Sequence, residues 1–348
     1  MKKILQISAV FIGTIVGAGL ASGQEITQFF TTYGYRSFIG LIICMLMYIS
    51  IGYMVINLSV KYKLDSYKDL IILVNSGYLG KITELLTSFF MLSGAAIILA
   101  GSGALIKQYF GTSSWIGIIV MFFAALIILL RNTQGIIEIN SFIVPSLITV
   151  ITTIFLLYIF FSKTPINIDY FKSLPYWKGH WFISSIIYGS FNILSFSGVL
   201  VPFCKEIDDK KSLFIGIILG ASALTILSFF INFMLIINVP YIFKYEIPLL
   251  YITHRFGKTL QILLLVIIWL EMFSTEVSDI YSIGKTIEKA YSIPYKKAVL
   301  LVLLIAIPIS QIGFKNLINY LYPAFGVISL IFVIQCIVFY ISKKFKKD

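Results

Sequence analysis

From Ile39 to Val60 the sequence runs without one charged residue, and Ile116 to Leu130 and Ile262 to Leu270 repeat the pattern. A helix of roughly 20 apolar residues crosses the hydrocarbon core of a bilayer. Runs of this kind recur along all 348 residues, of which 59% are hydrophobic and 12% charged. A soluble domain carries about 25% charged residues and hides its apolar surface inside itself. This chain must use lipid as solvent, which points to an all-α integral membrane protein.

The runs and their polar breaks define ten spans, near 4–33, 36–60, 80–108, 114–131, 135–162, 181–204, 212–238, 258–288, 296–313 and 316–342. Two short amphipathic stretches, 64–75 and 241–251, lie outside them, and 162–181 is the longest polar connection. The net charge of +12 follows topology. Roughly two thirds of the basic residues fall on the side that holds both termini, which the positive-inside rule makes the cytoplasm. The expected location is therefore the plasma membrane, multi-pass. No aromatic-rich basic patch or nucleic-acid motif is present, so lipid and a small molecule are the expected partners and nucleic acid is not. Lys2 and Lys3, an apolar stretch and "GLASGQ" also fit a signal peptide, against which the polytopic remainder argues. Cys44, Cys204 and Cys336 stand singly, and His180 and His254 lack ligand-spaced partners, so neither a resident metal nor a cofactor is expected.

The first span is unusual. "IGTIVGAGLASG" places Gly13, Thr14, Gly17, Gly19, Ser22 and Gly23 in eleven positions, followed by Gln24 and Glu25. Glycine costs about 1 kcal/mol against alanine in a helix. Two readings account for the cluster. Small residues let helices pack closely in lipid, or the helix unwinds and turns its amides and carbonyls towards a buried ligand. Gln24 and Glu25 favour unwinding. So does "YGSFNILSFSG" (Tyr188 to Gly198) in the sixth span, which also opens on glycine–hydroxyl and closes on Ser-Gly. Each half holds five spans, an odd number, so the two copies would enter the membrane from opposite sides. That makes one membrane domain, 1–348, of two inverted halves, 1–162 and 178–342. The third span, "LSGAAIILAGSGALI", is rich in small residues without mid-span charge and reads as packing, against the first span.

This layout resembles the LeuT-type fold of the amino acid–polyamine–organocation superfamily, with spans one and six unwound at mid-membrane. "GTIVGAG" resembles the G-x-x-V-G-x-G of the sodium-coupled members, and the whole chain resembles the YkvI-type bacterial membrane proteins. The resemblance implies a Na+ site made by the carbonyls of Gly13, Val16 and Glu271 and the hydroxyls of Ser274 and Thr275. The alternative for the hydroxyls is a bond back to carbonyls one turn earlier. The amide side chain that completes a second sodium site in the family is replaced here by Leu20. No lysine lies between Ile136 and Phe161 to stand in for sodium. Proton coupling is the other route, with Glu25, Glu271, Glu276 and Asp279 as candidates, because a carboxylate inside a span is costly and functional by default. Glu276 and Asp279 would otherwise stay wet in a cytoplasmic vestibule. Glu25 would line an outer vestibule or stabilise the start of the second half-helix, and Glu138 raises the same alternatives.

For the solute, the candidate binding residues are Gly17, Gly19, Ser22 and Gly23 of the first span and Tyr188, Asn192, Ser195, Phe196 and Ser197 of the sixth. Polar groups among aromatics suit a small amphipathic molecule. The amine transporters of the fold carry an acid where this chain has Gly17, so free glycine amides suggest a zwitterion such as an amino acid. The expected function is alternating-access transport coupled to Na+ or H+, with a small-molecule sensor as the alternative. No nucleophile–base pair, histidine cluster or nucleotide loop argues for an enzyme.

Overall fold

The computed structural model describes residues 2–65, 67–74, 78–131, 136–161, 178–207 and 209–345. These residues fold into fourteen α-helices: α1 (Lys2–Ile15), α2 (Ala18–Ser22), α3 (Gln24–Phe29), α4 (Arg36–Tyr62), α5 (Tyr67–Val74), α6 (Tyr78–Phe110), α7 (Ser114–Arg131), α8 (Ile136–Phe161), α9 (Trp181–Ile207), α10 (Lys210–Ile237), α11 (Pro248–Thr253), α12 (Lys258–Tyr291), α13 (Tyr295–Ser310) and α14 (Phe314–Phe345). Among the described residues six segments are long and apolar enough to cross a membrane, in α4, α8, α9, α10, α12 and α14. The segment 162–177, read as an interfacial loop, and the side chain of Glu138 lie outside the described residues.

Helix ends follow local chemistry. Asp209 caps α10, accepting from the amides of Lys211 (3.1 Å) and Ser212 (3.3 Å) and from the Ser212 hydroxyl. Those bonds, the Ser212 hydroxyl first, hold its pKa below the usual aspartate range. Such a cap satisfies donors that have no partner inside the helix.

Helices distant in sequence interleave. α1 packs on α10, where the Ser8 hydroxyl donates to Gly216 O at 2.9 Å. A Cβ on Gly220 would sit 2.9 Å from Phe11 Cδ1. α4 lies against α9 and α10, and α12 against α6 and α8. Between lipid-embedded helices there is no hydrophobic drive, so close approach and buried polar bonds carry the association. Asn232 on α10 makes two such bonds, to the Thr31 hydroxyl (2.9 Å) and to Ser37 Oγ (2.7 Å). The third-span glycines do pack, but against α7, α12 and α14 rather than the first span: Gly101 faces Met272 and Phe314, and Gly103 faces Ser114.

Between α10 and α12 the chain folds inward through α11, burying Leu249, Leu250 and Ile252 completely. The Gln108 side chain pins this segment with two bonds to Ile247, donating to its O (2.8 Å) and accepting from its N (2.9 Å). Leu249 thereby reaches Gly23, at the far end of the interrupted first span.

Candidate functional site

The first span breaks where its glycines concentrate. The backbone ladder of α1 ends with Val16 N donating to Ile12 O (2.8 Å) and restarts with Ala21 N donating to Gly17 O (3.0 Å). Gly17 between them is extended, at φ −123° and ψ −170°. Its amide and the carbonyls of Gly13 and Val16 therefore leave the ladder. A Cβ on Gly17 would meet nothing within 4 Å, so the break faces open space. A second break falls at Gly23, whose φ of +81° is left-handed. Any other residue would be strained there, and a Cβ would also approach Leu249 Cγ to 2.9 Å. The Ser22 hydroxyl stays local, donating to Gly19 O at 2.9 Å.

Glu25, in the first turn of α3, folds back over the break and is 3% exposed. A Cβ on Gly19 would overlap its Oε1, so only glycine leaves it room. Tyr188 of α9 donates its hydroxyl to Glu25 Oε2 at 3.0 Å. The Tyr322 hydroxyl and the Leu20 amide lie near the same carboxyl. Tyr188 is wedged between Phe29 and Phe30, with ring centroids at 5.1 and 5.0 Å. Tyr322 of α14 stacks on Phe191 at 4.6 Å and neighbours Asp279 of α12 as well as Glu25.

Asp279 lies against α6, its Oδ2 2.7 Å from where a Cβ on Gly94 would be. One turn earlier Glu276 is 0% exposed, and both its oxygens lack a hydrogen-bond partner. Its neighbour in charge is Asp279. The wet-vestibule alternative therefore does not describe Glu276. Glu271 Oε2, Gln24 Oε1 and Ser190 Oγ are also buried without partners. Among the described residues no Lys, Arg or His is buried. Buried charge is normally paired, and a buried polar group left unsatisfied is rare enough to mark a functional place.

The sixth span corrects one expectation. It is not unwound: α9 is continuous from Trp181 to Ile207. Its polar side chains serve its own ladder, with Asn192 Nδ2 donating to Tyr188 O (3.2 Å) and the Ser197 hydroxyl to Ile193 O (2.7 Å). Its two glycines are nine residues apart, and Gly189 is used for packing, with Met47 Sδ 2.9 Å from a Cβ placed there. Asn192 also donates to Tyr48 Oη at 3.2 Å, and Phe196 meets Phe11 edge-on at 4.5 Å inside the core. Ser195 is half-buried. Of the sixth-span residues, Tyr188 is the one bonded to the acid at the break.

On α12, Thr275 Oγ1 donates to Glu271 O at 3.0 Å, the back-bonding alternative, and Ser274 is buried. α12 packs against α2. Among the described residues no three His, Cys, Asp or Glu side chains gather into a metal-binding group. Sequence reasoning missed Tyr48 and Tyr322. The one signal for Tyr322 was a phenol beside Pro323 within an apolar run.

This arrangement is that of a membrane transporter fold. A manganese transporter of Eremococcus coleocola superimposes with a TM-score of 0.66 at 17% identity, over 94% of this chain and 76% of that one. Mhp1, a nucleobase-cation-symport-1 family transporter, gives 0.66 at 12% identity, over 92% and 74%. A Na+-coupled sialic acid symporter gives 0.62 at 17% identity, over 93% and 75%. The fold is therefore the LeuT type, and these relatives of it are transporters rather than enzymes. In sequence the chain is similar to the "Uncharacterized membrane protein YkvI" of Bacillus subtilis (strain 168), 29% identical over 332 residues, 94% of this chain and 93% of that protein. It is also similar to YyaD of the same organism, 26% identical over 337 residues, 97% of each. No family model matches.

Proposed function

We propose that the protein is a secondary transporter of a small amine-bearing solute, working by alternating access in the plasma membrane. Ten spans in two inverted sets of five, with both termini in the cytoplasm, form the carrier. The observation that supports this reading is the interrupted first span, with Glu25 folded over the break, further buried acids on α12 and no buried base among the described residues. A protein that needed only stability would replace such acids with apolar side chains. Retained in a membrane, they mark a substrate or ion route.

The coupling ion is Na+ or H+. For Na+ the ligands are the Gly13, Val16 and Glu271 carbonyls with Ser274 and Thr275, all oxygen donors suited to a hard cation. For H+ the carriers are Glu25, Glu271, Glu276 and Asp279. Purified protein in liposomes tests the function. Gradient-driven, concentrative uptake of a labelled amine or amino acid is expected, and saturable binding without flux would make the protein a sensor instead. Ser274→Ala combined with Thr275→Ala is expected to abolish sodium dependence if sodium is the coupling ion. Uptake that keeps its full sodium dependence in that variant rules the site out.

A further inference from the structure

We infer that the solute carries net positive charge, an organic amine without a carboxylate, held between Glu25 and Asp279 beside the Tyr322 and Phe191 rings. The inference rests on the transporter reading and narrows its substrate class.

By sequence, the free glycine amides of the break suggest a place for a substrate carboxylate. In the structure that place is filled from within. Glu25 lies over Gly19 and near the Leu20 amide. A second carboxylate brought there would meet other acids with no buried base among the described residues to offset it, at a cost that rises steeply away from water. The surroundings are acidic throughout: Glu25 from α3, then Asp279 and Glu276 from α12. Tyr322 of α14 lies near both Glu25 and Asp279, and Tyr188 of α9 donates its hydroxyl to Glu25. The remaining titratable neighbours are Tyr48 of α4, which bonds Asn192 of α9, and Cys44. None of these groups is a base.

Glu276 supplies the independent sign of a missing ligand. It is fully buried, both its oxygens are unpartnered, and its one charged neighbour is another acid. An ammonium would supply the donors that these carboxyl oxygens lack. The rings add to the selectivity, since a cation over an aromatic face gains attraction that a carboxylate does not. Phe191 and Tyr322, stacked at 4.6 Å, present such a face beside the acids.

The test uses three probes of similar size: butylammonium, 4-aminobutyrate and butyrate, titrated calorimetrically into the purified full-length protein in nanodiscs. Butylammonium is expected to bind at least ~10-fold more tightly than either other probe, the size of one hydrogen bond to a charged group. Asp279→Asn and Glu25→Gln should each weaken it by about 10-fold or more. Thr149→Ala, on α8 away from the acids, should leave it unchanged. Asp279 is only partly buried, so its variant keeps the test valid if Glu25→Gln does not fold. Tighter binding of 4-aminobutyrate or butyrate overturns the inference. So does absence of butylammonium binding, or binding indifferent to both substitutions. Butylammonium binding without flux in liposomes would overturn the transporter reading and leave the charge preference standing.

Discussion

The first and sixth spans carry similar small-residue patterns, yet one breaks twice and the other not at all. Each has a glycine followed by a hydroxyl residue and ends in Ser-Gly. The difference lies in glycine density and in what the rest of the chain brings to each place. Between Gly13 and Gly23 the backbone has four glycines, one of them left-handed, and two plugs hold it open: Leu249 against Gly23 and Glu25 against Gly19. Between Gly189 and Gly198 the Asn192 and Ser197 side chains bond back to their own helix, and Met47 fills the groove at Gly189. A small-residue motif permits a break; a partner that occupies the opening makes it. α9 does keep a weak point. Pro202 cannot donate to Gly198 O, and a Cβ on Gly198 would meet nothing within 4 Å.

Substitutions can push this contrast in either direction. The largest effect is expected at Gly23. Gly23→Val combines left-handed strain with overlap on Leu249 and should lower stability by about 3 kcal/mol. Gly198→Ala in the helical sixth span should instead stabilise by about 0.5–1 kcal/mol. Thermal unfolding in detergent compares the two, and equal losses would erase the distinction between the spans. Gly19→Ala comes next, at about 1–3 kcal/mol of overpacking. It should displace Glu25 and remove solute binding even in protein that remains folded, as calorimetry would show. Glu276→Gln replaces a buried unpartnered acid and should raise the melting temperature, worth about 1 kcal/mol or more, while gradient-driven flux is lost. A variant that is less stable and fully active would contradict the role given to Glu276. The smallest change is expected for Ser197→Ala, within about 0.5 kcal/mol, because its hydroxyl only bonds back to Ile193 O.

Much of the helical layout was legible because bilayer thickness and polar breaks fix where spans start and stop. α4, α7, α8 and α12 begin within a residue or two of where hydropathy puts them. The break at Gly17 was legible because four glycines followed by an acid disfavour a continuous helix in lipid. The unbroken sixth span was not, because Gly189 is packed against Met47 and Cys44 of α4, brought there by tertiary packing. The same holds for the site. Glu25 was visible as an acid in a span, but its fold-back onto Gly19 requires Tyr188 and Tyr322, more than 160 residues away in the chain. Glu276 and Asp279 were visible as acids, whereas the burial of Glu276 follows from how α12 packs among its neighbours.

The central claim is that the opening in the membrane lies in the first span and that a solute closes it. Hydrogen–deuterium exchange in nanodiscs reads this directly. Amides from Gly17 to Gly19 should exchange far faster than those from Tyr188 to Gly198, and saturating butylammonium should slow the first set while leaving the second as it was. Equal protection of the two segments, with or without the amine, would contradict the account.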